Sequence, residues 1–362
     1  MRSMAHREGR PFGKIGVLTF HRCINYGSYW QARCLVEGLK GMGADAVLLD
    51  HQSSAVDWAE LRCAFRPALP ARPRRSDFPA YALKTRKFMS AFERLPLSPS
   101  FPLNRPEEMV PRDAIIIGSD EVWNLHHPWY GGCATFFGEG VRGRLISYAA
   151  SFGNQDAAHG LPDYWSGQLR NFHALSVRDD NSRRIVQAAT GRAAELVLDP
   201  CLQFPPRHET CLPEERPHVA LYGHSFPDWF SDRVRQWADR HGHRLLSIGY
   251  RNDWADEQRI GAGPEEFAGL IAGAEAVITN FFHGCVFALV YQRPFLTAPS
   301  AYRFNKVRDL MTAVGAQERM VDEGTDRAAY DQLLGEPVDA DVFQQIATLR
   351  RRSTAYLQQA LA

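Results

Sequence analysis

Residues 14–51 read KIGVLTFHRCINYGSYWQARCLVEGLKGMGADAVLLDH. The run KIGVLTF (14–20) is short, apolar and unbroken, which suits a strand buried in a parallel sheet. A loop, HRCINYG, leads into YWQARCLVEGLKGMG. There Trp30, Leu35, Leu39 and Met42 roughly follow a helical stripe, and Gly41 or Gly43 can end the helix. ADAVLLDH (44–51) is a second strand. Strand, loop, helix and strand within 38 residues form a βαβ unit, which implies a parallel sheet with helices on its faces.

The same rhythm returns further along. DAIIIGSD (113–120) and RLISYAASFG (144–153) read as strands, ALSVRDDNSRRIVQAATG (174–191) as a strand and a helix capped at Asp180 or Ser182, and AELVLDP (194–200) as a strand stopped by proline. Between them, residues 53–112 read as an irregular, proline-bearing insertion with a helix near KTRKFMSAFERL. From Arg62 to Arg94 it carries nine Lys/Arg against two acids, which fits a solvated basic surface or a surface that attracts an anion. A second βα series runs from HVALYGH (218–224) through RLLSIGY, the helix GPEEFAGLIAGA (263–274), the strand and turn EAVITNFFHG, the helix CVFALVYQ and the strand RPFLTAP. The tail from 341 reads as an amphipathic helix.

The expected organisation is therefore a polar N-terminus (1–13), an N-terminal Rossmann-like domain (14–204), a Pro-rich linker (205–217), a C-terminal Rossmann-like domain (218–340) and a terminal helix (341–362) that packs back on the first domain. Ligands of open parallel sheets bind beyond the carboxyl ends of strands, so a cleft between the lobes is the expected site.

Four segments put polar chemistry at such ends. Asn25, Gly27 and Ser28 precede a helix whose N–H groups can hold an anion, although no phosphate-loop or GxGxxG pattern is present. Gly118-Ser119-Asp120 combines small residues with a hydrogen-bonding acid. Arg178 follows a strand and suits bidentate binding of phosphate or carboxylate, but a salt bridge to Asp179, Asp180 or Asp199 fits equally. In VITNFFHGCVF (277–287), His283 and Gly284 sit on a turn before a helix whose N-terminus favours a neutral imidazole, an acid/base setting; a packed, structural histidine is the alternative. Cys285 is two residues from His283, and side chains so spaced point apart, against a Cys–His pair. His126-His127 and His241/His243 lack metal-ligand spacing, so no metal is expected.

Bulk properties narrow the class. With 45% hydrophobic and 23% charged residues and a net charge of +1, the chain reads as globular and not as a nucleic-acid-coating protein. No apolar run is long enough to span a membrane, and the opening MRSMAHREGRPFG lacks the apolar core of a secretory signal. Seven scattered cysteines with no CxxC spacing fit reduced thiols. A cytoplasmic location is expected, with attachment to a membrane surface left open.

In order, NYGSYWQARCL (25–35), DAIIIGSDEVWN (113–124), ISYAASFG (146–153), LSVRDDNS (175–182), ELVLDPCL (195–202), the PEEFAGLIAGAEAVITN run (264–280), FHG (282–284) and RPFL (293–296) resemble the polysaccharide pyruvyl transferase family, over roughly residues 14–315. The resemblance implies a GT-B-like α/β fold, two Rossmann-like lobes around a cleft. It also implies transfer of a pyruvyl group from phosphoenolpyruvate to two hydroxyls of a sugar, with phosphoenolpyruvate as donor substrate and no further cofactor. The acceptor would be a glycan, a lipid-linked glycan or another small molecule. His283 falls at the family's acid/base histidine and Arg178 at its anion-binding arginine, with Arg303 and Lys306 as further donor-binding candidates. Asn25, Gly27, Ser28, Gly118, Ser119, Asp120, Asn280, Phe281 and Gly284 complete the implied site. Departures are visible: Phe281 stands where the family has serine, Asp179 where it has glutamate, and Trp30 and Cys34 replace an aliphatic residue and an alanine. The alternatives are a GT-B-like transferase using a sugar nucleotide, one acting on a non-sugar acceptor, and a binding protein without turnover.

Overall fold

The computed structural model describes residues 12–67, 69, 72–206 and 216–362. Most of the expected polar N-terminus (1–11) and of the Pro-rich join (207–215) lies outside the described residues. The rest is α/β, with two parallel sheets. The first has the spatial order Asp45–Leu48, Lys14–Leu18, Ala114–Ile117, Arg144–Ser147. Short parallel ladders extend both edges: His51–Gln52 pairs Phe101–Pro102, and Ser176–Val177 pairs Glu195–Leu196. The second sheet has five strands in the order Glu257–Arg259, Leu245–Ile248, Val219–Tyr222, Ala276–Thr279, Phe295–Thr297.

The central strands are buried end to end, as unbroken apolar runs such as AIII (114–117) and VALY (219–222) require when helices cover both faces. Register decides what meets at their carboxyl ends. Leu18 pairs Ile117 in the first sheet, and Thr279 pairs Tyr222 in the second. The loops after each pair therefore start level with one another.

The lobes share one core. It runs from Val17 and Ile116 of the first sheet through Tyr26 and Leu35 of the helix Tyr26–Gly41 to Phe267, Val277 and Phe287 of the second lobe. Tyr26 stacks on Phe267 with ring centroids 4.3 Å apart and donates its hydroxyl to Ala262 O at 2.7 Å, while Trp30 Nε1 donates to Pro264 O at 3.0 Å. These two residues sit in the helix that follows the candidate loop, so the N-terminal side of the site is seated on the C-terminal lobe. The last helix, Ala340–Leu361, returns to the first sheet: Tyr356 donates to Ser147 O at 2.7 Å, and Leu198 N donates to Ser353 Oγ at 3.0 Å.

Three features differ from the sequence reading. The insertion is mostly regular, with helices Ser54–Phe65 and Phe78–Glu93; the first buries only Val56 and Glu60, too little to show an apolar stripe. Its basic residues clasp the second lobe rather than only facing water. Lys87 bonds Glu266 at 2.6 Å, Arg94 bonds Glu265 at 2.7 Å, and buried Lys84 donates to Gly249 O at 3.2 Å. The third is His283, which lies not on a turn but in the first turn of a helix, Phe282–Val290, with Phe281 as N-cap. A Cβ on Gly284 would come within 1.9 Å of Thr279 Oγ1, so only glycine lets the helix begin so close to the strand.

Candidate functional site

One cavity of about 270 Å³ lies beyond the carboxyl ends of both sheets. Asn25, Ser28, Asp120, Arg178, Phe281, His283, Arg303 and Lys306 all line it. The structure thus brings together eight residues drawn from five separate segments. Gly27, Gly118, Ser119, Asn280 and Gly284 do not line it but shape its frame. A Cβ at Gly27 would fall 2.0 Å from His283 Nδ1, so the bare backbone there makes room for the imidazole. Gly118 has φ +113 and lies so near Tyr148 O that a Cβ would meet it at 2.4 Å. Ser119 O accepts from Thr19 Oγ1 at 3.0 Å, and Asn280 donates to His224 O at 2.7 Å. A larger hollow of about 740 Å³ opens elsewhere, beside Gln52, Pro102 and Thr135, but no Lys, Arg or His lines it.

Helix starts place the polar groups of the first wall. Asn25 caps the helix Tyr26–Gly41, accepting from Ser28 N at 3.2 Å. Asp199 caps the short helix Pro200–Gln203, accepting from Cys201 N at 3.0 Å. Asp120 has φ +69, a left-handed conformation uncommon for a residue with a side chain. From there a relay of contacts crosses the cleft floor. Ser28 Oγ donates to Asp120 Oδ2 at 2.7 Å, Arg178 reaches Asp120 Oδ1 at 3.1 Å and Asp199 Oδ2 at 3.2 Å, and Asp199 Oδ2 faces His283 Nε2 at 3.5 Å. Nε2 of His283 is buried without a hydrogen-bond partner among the described residues.

Charges follow from these neighbours. Burial pushes the Asp199 carboxyl up, but His283 and Arg178 outweigh it and hold it at about 2. Asp120 is likewise held low against its burial by Arg178 and His283. Burial works against the Arg178 charge, and the two carboxylates raise its pKa nonetheless. The expectation of an Arg178 open to an incoming anion is revised: its side chain is 2% exposed, and each guanidinium arm is already on a carboxylate. A salt bridge to Asp199, one of the partners the sequence allowed, is what forms.

The second wall is aromatic and basic. Lys306 pairs with Glu121, and burial pushes Glu121 up before Lys306 brings it below its usual value. Phe281 is surrounded edge-on by Tyr222 at 5.0 Å, His224 at 5.2 Å and Tyr250 at 5.5 Å. Arg303 lies over its face, the guanidinium carbon 4.3 Å from the ring centroid. Burial lowers His224 to about 4, with Arg303 and Lys84 adding to the effect, so this imidazole is neutral.

Donor atoms of Asp199, Cys201 and His283 all lie within 4.8 Å of one another, the spacing of a cation site. Arg178 already supplies a positive charge at Asp199 Oδ2.

Sequence reasoning overlooked several residues in the cleft or buried behind it. Asp199 was seen only as a salt-bridge partner, although its place between a strand and Pro200 is a signal like that of Asp120. Glu60, whose carboxyl burial drives up, comes from the insertion and has no motif to betray it. Tyr222, His224 and Tyr250 end strands of the second sheet.

The model of the polysaccharide pyruvyl transferase family matches residues 25–298, well over half of the chain. The chain belongs to this family. Among proteins with curated descriptions, none matches the sequence significantly. Solved structures similar to this polysaccharide pyruvyl transferase family member include a UDP-GlcNAc 2-epimerase from Methanocaldococcus jannaschii, at 11% identity and a TM-score of 0.47, covering 89% of this chain and 92% of that one. An E. coli heptosyltransferase, WaaC, solved with ADP-2-deoxy-2-fluoro heptose, is similar at 14% identity and TM-score 0.40, covering 79% and 89%. The glycosyltransferase SnogD from Streptomyces nogalater is similar at 10% identity and TM-score 0.40, covering 96% and 97%. Among the described residues, no helix is long and apolar enough to cross a membrane.

Proposed function

We propose that this family member transfers a pyruvyl group from phosphoenolpyruvate to two hydroxyls of a glycan or related acceptor, with His283 as acid/base. The observation that carries this reading is that His283, facing Asp199, lines one cleft together with Arg303 and Lys306.

The atoms balance as follows. An acceptor hydroxyl adds to C2 of the enol phosphate, the methylene carbon gains a proton to become methyl, and the hydroxyl proton is released. A second hydroxyl then attacks C2 and gives up its proton as the C–O bond to phosphate breaks, and phosphate leaves with the bonding electrons and that proton, as hydrogen phosphate. The product is a cyclic ketal that keeps the carboxylate. His283, its Nε2 unpartnered and facing the Asp199 carboxylate, is placed to carry one of these protons. Arg178 is read as a positioning residue that holds Asp120 and Asp199, and through Asp199 the ring of His283. Arg303, which lines the same cleft, would meet the carboxylate or the departing phosphate.

A melting titration tests the donor. At about 100 times its Kd, phosphoenolpyruvate should add roughly 2.7 kcal/mol to stability. Phosphate release should then follow only when a diol acceptor is supplied. Stabilisation by UDP- or GDP-sugars, with none by phosphoenolpyruvate, would sink the pyruvyl reading in favour of a sugar-nucleotide transferase. Donor binding with no phosphate released across glycan acceptors would favour a binding protein.

A further inference from the structure

Six basic side chains line the cleft: His127, Arg178, His224, His283, Arg303 and Lys306. Five are answered within the protein. Arg178 is spanned by Asp120 and Asp199, Lys306 is paired with Glu121, and His283 faces Asp199. Burial lowers the pKa of His224 and of His127, so these two rings carry no charge near neutrality. Arg303 is different. Its guanidinium donates to Ser300 Oγ at 3.2 Å, and among the described residues it meets no carboxylate at ion-pair distance. What holds it is Phe281, over which it lies at 4.3 Å, and Phe281 is itself fixed by three surrounding rings.

A desolvated cation with no carboxylate at ion-pair distance among the described residues, and with Glu121 acting on it only from further off, can take an anion supplied from outside. We propose that Phe281 is a positioning residue that presents Arg303, flat on its ring, as the anion-binding group of the cleft, and that a phosphate or carboxylate of the small donor occupies it. The existence of the anion site stands by itself; assigning it to the donor rests on the pyruvyl-transfer reading. The phenyl ring at a position where the family has serine thereby gains a role on the donor side.

The physical reason is preorganisation. An arginine side chain loses much rotamer freedom when it binds, and a platform that fixes it beforehand reduces that loss. A cation over a desolvated ring adds direct attraction as well. Leucine or serine at 281 keeps the guanidinium but removes its platform.

The test is calorimetric titration of inorganic phosphate, pyruvate and phosphoenolpyruvate into wild type, Phe281→Leu, Phe281→Tyr, Arg303→Lys and Arg303→Gln at one salt concentration. Phe281→Leu should weaken the bound anion about 2- to 30-fold, and Phe281→Tyr should restore wild-type affinity. Arg303→Gln should weaken it by at least about tenfold. Arg303→Lys keeps the charge without the planar stack, so it should lose about as much as Phe281→Leu, and it serves if Phe281→Leu does not fold. Loss confined to phosphate or to pyruvate names the group that Arg303 takes. Wild-type affinity in both Phe281→Leu and Arg303→Lys overturns the positioning role. Tight phosphoenolpyruvate binding that survives Arg303→Gln overturns the site while leaving the pyruvyl reading intact. Binding of phosphate but not phosphoenolpyruvate by the wild type does the reverse.

Discussion

The two walls of the cleft hold arginines in opposite circumstances. Arg178 lies between two carboxylates with 2% of its side chain exposed, whereas Arg303 lies on a ring and, among the described residues, meets no carboxylate at ion-pair distance. The family resemblance implied that both bind the donor anion, although for Arg178 the residues alone allowed a salt bridge equally. The difference teaches that a buried cation binds a ligand only where its own fold has left it unneutralised. The first wall spends its charges on holding His283 in place, and the second keeps one in reserve.

The comparison breaks most readily at His283. His283→Ala should lower kcat by about 10²–10⁴ while donor affinity, read by titration, stays nearly constant. If rate and affinity fell together, the two walls would not divide chemistry from binding. Arg178→Ala leaves Asp120 and Asp199 buried without their partner and should cost about 3–5 kcal/mol of stability, measured by denaturant unfolding. A loss of affinity with unchanged stability would return Arg178 to the role the sequence suggested.

Lys84 sharpens the contrast by pH. It lies under the rings of Tyr26 and Tyr250, and burial pulls its ammonium down to about 8. An unfolded lysine keeps its proton to about 10.4, so between those values the unfolded chain binds more protons and stability should rise with pH. Melting from about pH 8 to about pH 10 should show that rise, of about 1–3 kcal/mol, in wild type, and Lys84→Met should flatten it. Equal slopes in the two proteins would mean that Lys84 is not the desolvated cation its surroundings imply. The smallest effect is expected at the outer clasp. Lys87 and Glu266 form an exposed pair, and Lys87→Ala should cost only about 0.2–1 kcal/mol, less at high salt. A larger loss would show that the insertion holds the lobes together through its rim as well as through Lys84.

The α/β class and the order of the strands were legible because parallel strands covered on both faces must be apolar throughout, and runs such as KIGVL and AIII cannot be mistaken for solvated elements. Asn25 was legible as the residue before a helix start, where the first free N–H groups need an acceptor. The helix expected to be capped at Asp180 or Ser182 is capped one residue earlier, by Asp179, and the cap at Asp199 was not read. Of the polar residues expected at strand ends, Asn25, Ser28, Asp120, Arg178 and His283 line one cavity, whereas Ser119 and Asn280 do not. Helix Ser54–Phe65 and the edge strand Glu257–Arg259 were not legible, since the former buries two side chains and the latter is polar, leaving no periodicity to read. Nor could spacing along the chain show that Gly27 would lie beneath His283, 256 positions away by their numbers, or that Phe281 would carry Arg303. The sequence by itself determined which residues stand at the ends of strands, because hydrophobic pattern and capping are local. Only the tertiary structure decided which of those residues neutralise one another, because that depends on distances between segments that the chain brings together only when its two sheets share one core.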